Sequence, residues 1–122
     1  MRRLPRWLLL LALAVLLHGC GLLGQNEMPP LVSAADPRHQ TGEDGIVLLG
    51  AEWCGYCKQL RAEFDQAGVD YRELDVDTDA GDAALKSVGS RIVPVTIVGQ
   101  RVIAGYDIHR IRELLAPLGY RL

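Results

Sequence analysis

The sequence predicts an α/β domain over residues 45–122, with a four-stranded mixed sheet and three helices in the order β-α-β-α-β-β-α. Two observations lead to this prediction. An apolar run of strand length, residues 46–49, is followed by helical periodicity over residues 57–67. Further along, two strand-like segments are separated by Gly99 and Gln100, and a two-residue link that begins with glycine is typical of a type II′ hairpin turn.

The N-terminal region carries the features of an export signal. Three arginines within residues 2–6 precede an unbroken apolar run of eleven residues, 7–17. That run is short for a membrane-spanning helix, which needs about 20 residues. Its length and its basic flank are those of a secretory signal. We therefore expect residues 1–19 to be a signal peptide.

Residues 20–44 are predicted to form a flexible tether. They contain three prolines and scattered polar residues and glycines, with no apolar periodicity. A flexible coil of this length spans roughly 25–30 Å. Such a tether would hold a domain close to a membrane and still let it turn.

The first elements of the domain follow in chain order. Residues 46–49 predict a strand buried on both faces. The helical segment 57–67 is followed by Gly68, a typical C-terminal stop. Residues 70–77 mix polar and apolar side chains as an edge strand does, and residues 80–89 predict a short helix.

Two strands and a helix complete the domain. The strands are residues 93–98 and 101–105, joined by the hairpin turn. Asp107 is a plausible N-cap for the last helix, because a carboxylate can accept hydrogen bonds from the free N–H groups of the first turn. The apolar stripe of this helix comprises Ile108, Ile111, Leu114, Leu115 and Leu118.

Cys54 and Cys57 follow the first strand, separated by two residues. Such a pair can hold zinc, staple a loop or act as a reversible dithiol. A zinc site needs about four ligands, whereas this chain has no second CxxC, His39 lies in the predicted tether and His109 stands alone. A structural disulfide is also disfavoured. It would close a loop of only two intervening residues, and disulfide stabilisation grows with loop length. The residues favour a reversible dithiol with neither a metal nor a resident cofactor.

The two cysteines are expected to have different roles. Cys54 stands at a strand-to-helix junction, where free N–H groups and the helix dipole stabilise an anion. CxxC thiols in such settings have pKa values lowered to about 3.5–7.5. Cys54 is therefore the expected attacking thiolate, and Cys57, one turn into the helix, is the expected resolving thiol.

Three motifs resemble the glutaredoxin branch of the thioredoxin superfamily. They are "WCGYCK" after the buried strand, "VP" at the third strand and "GYD" before the last helix. The resemblance covers residues 45–118. It implies a thioredoxin-like fold, thiol–disulfide oxidoreductase activity with Cys54 and Cys57 as catalytic residues, and glutathione as a co-substrate.

The resemblance also implies a substrate-binding site. Pro94 would follow a cis peptide bond, and Val93 would offer its backbone to a bound peptide or to glutathione. The loop 105–107 would hold the γ-glutamyl end of glutathione, although Asp107 has helix capping as an equal alternative. The implied substrate-binding residues are Tyr56, Val93, Pro94, Gly105, Tyr106 and Asp107.

The sequence departs from the family pattern at two places. Thioredoxins carry a buried acid in the strand before CxxC, and residues 46–49 have none, which favours glutaredoxin. Typical glutaredoxins carry a basic residue before the first cysteine and threonine before the cis-proline, where this chain has Glu52 and Val93. We therefore expect weak glutathione binding.

The end of the signal peptide resembles the lipobox of bacterial lipoproteins. Leu17, Gly19 and Cys20 fit that pattern, and His18 departs from it. The resemblance implies cleavage before Cys20 and lipid attachment to its sulfur. The protein would then face the periplasm in a bacterial cell envelope, anchored to a membrane and near a membrane-bound electron donor.

The sequence thus predicts an exported, membrane-anchored oxidoreductase that acts on protein or glutathione mixed disulfides. The alternative is a binding module that uses the dithiol to hold Cu(I) or a partner thiol. Two thiolates suit Cu(I), but no nearby Met or His completes such a site. With 13 basic and 15 acidic residues and no basic stripe, nucleic acid is not an expected partner.

Overall fold

The computed structural model describes residues 33–122, so the predictions for the signal peptide and for lipidation of Cys20 lie outside the described residues. The predicted element order is confirmed, with one additional short helix before the first strand. The elements are α1 (Arg38–Thr41), β1 (Ile46–Gly50), α2 (Gly55–Gln66), β2 (Arg72–Asp75), α3 (Asp79–Ser87), β3 (Val95–Val98), β4 (Arg101–Ala104), α4 (Ile108–Leu115) and a 3₁₀ turn (Ala116–Leu118).

The four strands form one mixed sheet in the order β2-β1-β3-β4. Strand β1 pairs in parallel with β2 and antiparallel with β3, and β3 pairs antiparallel with β4. The sheet prediction is confirmed, including the edge position of β2. Within residues 33–122, no helix has both the length and the apolar character needed to cross a bilayer.

Apolar side chains cover both faces of the sheet. Ile46 and Leu48 of β1 point toward α2 and α4, and Val47 and Leu49 point toward α3. All five residues of β1 are buried, so its continuous apolar run follows from its position between two helical layers. This buried strand ends at Gly50, four residues before Cys54.

The tether prediction is wrong for residues 36–41, which pack against the domain. Asp36 and Arg38 are both buried and form a bidentate ion pair. The Thr41 hydroxyl donates to the carbonyl oxygen of Gly99 at 2.5 Å. This partner lies 58 residues further along the chain, so the local composition that suggested a coil carries no sign of the contact.

The β3–β4 turn is the place where this segment docks. Gly99 has φ +59°, a backbone conformation that residues with a side chain rarely adopt. A β-carbon at Gly99 would also collide with the carbonyl oxygen of Glu43. Glycine at this position therefore serves both the predicted hairpin turn and the close approach of the N-terminal segment.

Candidate functional site

Cys54 is the N-cap residue of α2. Its backbone is extended, with φ −88° and ψ 111°, and its sulfur accepts a hydrogen bond from the backbone N–H of Cys57 at 3.1 Å. The sulfur therefore occupies the position in which a capping side chain satisfies a free N–H of the first helical turn. In this structure the two cysteines form a disulfide, with their α-carbons 5.2 Å apart.

The two sulfur-bearing side chains differ in their access to solvent. Cys57 is completely buried, and Cys54 keeps 7% of its surface exposed. Ala51 packs with both cysteines in one small apolar cluster, against which Val93 is also packed. An incoming disulfide can therefore reach Cys54 from solvent, whereas Cys57 is shielded behind it.

The segment around Pro94 faces this cluster. The Val93–Pro94 peptide bond is cis, as the resemblance implied. The carbonyl oxygen of Pro94 accepts a hydrogen bond from the N–H of Gly105 at 2.8 Å, which fixes the loop after β4 beside the start of β3. The fold thus packs Val93 against the cysteine cluster and ties Gly105 to the neighbouring Pro94, and the roles of these residues in substrate binding stay predictions.

Two tyrosines from different parts of the chain form a stack at the site. The rings of Tyr56 and Tyr106 lie 5.2 Å apart between centroids, with an interplanar angle of 25°. The Tyr106 hydroxyl donates to Glu63 at 2.5 Å and accepts from Gln59 at 2.9 Å. The hydrogen bond to Glu63 raises the pKa of Tyr106, so this hydroxyl stays a donor, and its bonds to α2 fix the ring that supports Tyr56.

Asp107 lies at the N-terminus of α4 and is exposed. Its carboxylate accepts a hydrogen bond from the backbone N–H of Arg110 at 3.2 Å, which confirms the predicted helix cap. The second predicted role of Asp107, binding of glutathione, stays a prediction.

Sequence reasoning missed the exposure of three large apolar side chains that lie close in sequence to Cys54 or to Pro94. The most exposed large apolar side chains of the described residues are Trp53 (68%), Tyr56 (61%) and Ile92 (57%), and we call these three the apolar collar. Trp53 directly precedes Cys54, and Ile92 lies two residues before Pro94. The indole N–H of Trp53 donates to Asp77 at 2.9 Å, which fixes its ring. Only the fold reveals that all three side chains face solvent.

The side chains that could bind a metal ion are not clustered in the described part of the chain. Across residues 33–122, no three His, Cys, Asp or Glu side chains lie close enough together to hold a metal ion.

Comparison with known families gives one match across the site. The glutaredoxin family model matches residues 46–103. Among characterised proteins, a glutaredoxin of Ricinus communis is 26% identical, and the match covers 52% of this chain and 68% of that protein. Glutaredoxin-C2 of Arabidopsis thaliana is 25% identical, and this chain spans 62% of its length.

Solved structures agree with this match. The buckwheat glutaredoxin–glutathione complex is 29% identical with a TM-score of 0.54, over 66% of this chain and 81% of that one. The thioredoxin-like protein BC3987 is 26% identical with a TM-score of 0.53, over 57% and 99% of the two chains. These similarities confirm the thioredoxin-like fold that the motifs implied.

Proposed function

We propose that this chain, which is similar to glutaredoxins and has the fold of the thioredoxin superfamily, is a thiol–disulfide oxidoreductase that exchanges disulfides with other proteins and with glutathione in a bacterial cell envelope. The observation that carries the proposal is the capping geometry of Cys54, whose sulfur accepts the Cys57 N–H. A thiolate in that position is stabilised by the helix N-terminus.

The exchange proceeds in two steps. The Cys54 thiolate attacks one sulfur of the substrate disulfide, and the other substrate sulfur leaves as a thiolate. Cys57 then attacks the Cys54 sulfur and releases the second substrate thiol. Two electrons pass to the substrate, and the protein is left with the Cys54–Cys57 disulfide.

The apolar collar favours proteins as substrates. Trp53, Tyr56 and Ile92 expose apolar surface, and apolar side chains of this size are the usual anchors of protein interfaces. A polypeptide that carries a disulfide would cover these side chains while its sulfur reaches Cys54. Docking on the collar would thus favour a protein disulfide over a small one.

Glutathione mixed disulfides are the second proposed substrate. Support comes from the similarity to a buckwheat glutaredoxin solved in complex with glutathione and from the packing of Val93, which precedes the cis-proline, against the cysteine cluster. Glu52 is exposed two residues before Cys54 and would repel a glutathione carboxylate. An exposed charge has a modest effect, so we expect measurable but slow turnover.

The experiment that tests the activity follows thiol release from two disulfides. The reduced protein should convert a small disulfide-bonded protein to its thiol form faster than it converts a cysteine–glutathione mixed disulfide. Cys54→Ser should abolish both reactions. If the wild-type protein releases no thiol from either disulfide, the activity proposal is wrong.

The proposed location depends on Cys20. The lipobox-like end of the apolar N-terminal run supports cleavage before Cys20 and acylation of its sulfur, and each buried CH₂ contributes roughly 0.8 kcal/mol to membrane binding. The envelope would supply a membrane-bound electron donor for the dithiol. In bacteria that express the full chain, Cys20→Ala should release the protein from the membrane fraction. An unmodified Cys20 thiol in the wild-type protein, detected by mass spectrometry, would exclude the anchor and leave the redox activity unaffected.

A further inference from the structure

A carboxylate from the edge strand reaches the buried end of the active site. Glu73 of β2 is in register with Leu48 of β1, so its side chain lies on the α2 side of the sheet. A β-carbon built on Gly50 would lie 3.2 Å from Glu73 Oε1 and 3.5 Å from the Cys57 sulfur. The carboxylate and the resolving sulfur therefore border the same small space, which is open only because residue 50 is glycine.

An ion pair holds Glu73 in this place. Arg61 of α2 donates to its two oxygens, from Nε at 2.8 Å and from Nη2 at 2.6 Å. Both side chains are about three-quarters buried. The pair also raises the pKa of Arg61 through the hydrogen bond to Glu73. The bidentate contact leaves the carboxylate little freedom to rotate away from Cys57.

The resolving step needs a proton acceptor at this depth. Cys57 attacks as a thiolate, because the thiol is a poor nucleophile. Its side chain is completely buried, so bulk water does not reach it directly. An ordinary thiol has a pKa near 8.5 and burial in apolar surroundings raises it, so few Cys57 side chains would ionise unaided at neutral pH.

We propose that Glu73 accepts the proton of Cys57 when Cys57 resolves the mixed disulfide on Cys54. The Cys57 S–H bond breaks and its proton passes to the Glu73 carboxylate, directly or through one water molecule. The Cys57 sulfur forms a bond to the Cys54 sulfur, and the bond from Cys54 to the substrate breaks. The substrate sulfur leaves with the electron pair, and the proton returns to it or to solvent.

This role of Glu73 rests on the proposed function. Glu73 supplies, from β2, a carboxylate that β1 lacks. The run 46–49 contains no carboxylate, and the neighbouring strand supplies one at the same end of the sheet. Besides Cys57 and Arg61, Tyr71 interacts electrostatically with Glu73, and Glu52 interacts with Arg61, the partner of Glu73.

The test is a single-turnover measurement of the mixed disulfide. Reduced protein is mixed with excess protein disulfide, quenched in acid at set times and analysed by mass spectrometry. Glu73→Gln should form the Cys54 adduct at the wild-type rate and resolve it about tenfold or more slowly at pH 7, since general bases commonly contribute at least that much. Glu73→Asp keeps a carboxylate and should resolve the adduct at an intermediate rate.

A pH profile separates a proton acceptor from a structural residue. Resolution by Glu73→Gln should accelerate steadily with pH up to about pH 9, because ionisation of the thiol then depends on solvent hydroxide. The wild-type rate should change much less over the same range. Asp82→Asn removes the carboxylate of the exposed Asp82–Lys86 pair and is the matched control, expected to behave as wild type.

Two results would overturn the assignment in distinguishable ways. Equal resolution rates and equal pH profiles for wild type and Glu73→Gln would exclude Glu73 as the acceptor and leave the proposed function intact. Failure of Cys57→Ser, which cannot resolve the adduct, to form a mixed disulfide on Cys54 would contradict the proposed function itself, and the role of Glu73 with it.

Discussion

The sulfur atoms of Cys54 and Cys57 lie in different surroundings although only two residues separate them. Cys54 caps a helix and accepts an N–H bond from Cys57, which favours its ionised form. Cys57 is completely buried and borders the space that Glu73 occupies, where a negative neighbour disfavours a thiolate. The negative charge of the reduced dithiol should therefore reside mainly on Cys54, the residue that contacts the substrate.

We expect alkylation of the reduced protein to distinguish the two residues. At about pH 6, iodoacetamide should label Cys54 while Cys57 stays unreacted, because capped CxxC thiols ionise below the ordinary thiol pKa. Peptide mapping by mass spectrometry measures the two sites separately. Cys57→Ser should be labelled as fast as wild type and Cys54→Ser hardly at all. Equal labelling of both residues in wild type would contradict the assignment.

Asp107 shows how one side chain can carry two hypotheses. Its hydrogen bond to Arg110 is a capping contact, and removal of such a cap typically costs about 1 kcal/mol. Glutathione binding would require its negative charge as well. Asparagine retains a capping oxygen without the charge, so it separates the two roles.

We predict that Asp107→Ala lowers the free energy of unfolding by about 1 kcal/mol, measured by urea denaturation. Asp107→Asn should be close to wild type in the same measurement. If Asp107 binds the γ-glutamyl amine, both variants should slow turnover of the glutathione mixed disulfide. Wild-type turnover by Asp107→Asn would limit Asp107 to its role as a cap.

At the scale of elements, the segment 36–41 contains a buried Asp36–Arg38 ion pair and is bound to the β3–β4 turn by the Thr41–Gly99 hydrogen bond. Burial acts to raise the pKa of Asp36, but the hydrogen bonds and charge of Arg38 outweigh it and leave the pKa below its usual value. A lowered folded-state pKa means that the carboxylate stabilises the fold above its unfolded value of about 3.9. That contribution is lost as the pH falls through the folded-state pKa.

We expect Arg38→Ala to lower the free energy of unfolding by about 3–5 kcal/mol, because it leaves the buried Asp36 carboxylate without its partner. Urea denaturation at pH 7 measures the loss. Lys86→Ala breaks the exposed pair with Asp82 and should cost only about 0.3–0.5 kcal/mol.

The same series at lower pH tests the cause. Below about pH 4 the gap between wild type and Arg38→Ala should narrow, since protonation removes the unpaired charge on Asp36. A gap that stays constant down to pH 2 would show that Arg38 acts by packing alone.

At the scale of the whole molecule, local patterns predicted the elements and the position of the dithiol. The apolar run of β1, the glycine of the β3–β4 turn and the cap at Asp107 are each encoded within a few residues. The buried Asp36–Arg38 pair and the Glu73–Cys57 approach could not be predicted in this way. The first follows from the docking of α1 on the distant Gly99 turn, and the second from the register of β2 against β1.

The apolar collar belongs to the same class of long-range features. Trp53 and Tyr56 are close in sequence to Cys54, whereas Ile92 belongs to the site because Val93, the next residue, packs against the cysteine cluster. Sequence periodicity assigns large apolar residues to the core, so three exposed ones at the active site stand out only in the folded chain.

The central claim is that Cys54 attacks a substrate disulfide and Cys57 resolves the product. Its most direct test is to incubate reduced Cys57→Ser with a small disulfide-bonded protein and to analyse the mixture by non-reducing mass spectrometry. We predict a stable mixed disulfide between the substrate and Cys54, which the wild-type protein does not accumulate. If Cys57→Ser forms no adduct while iodoacetamide still labels Cys54, the pair does not work in this order and the account is contradicted.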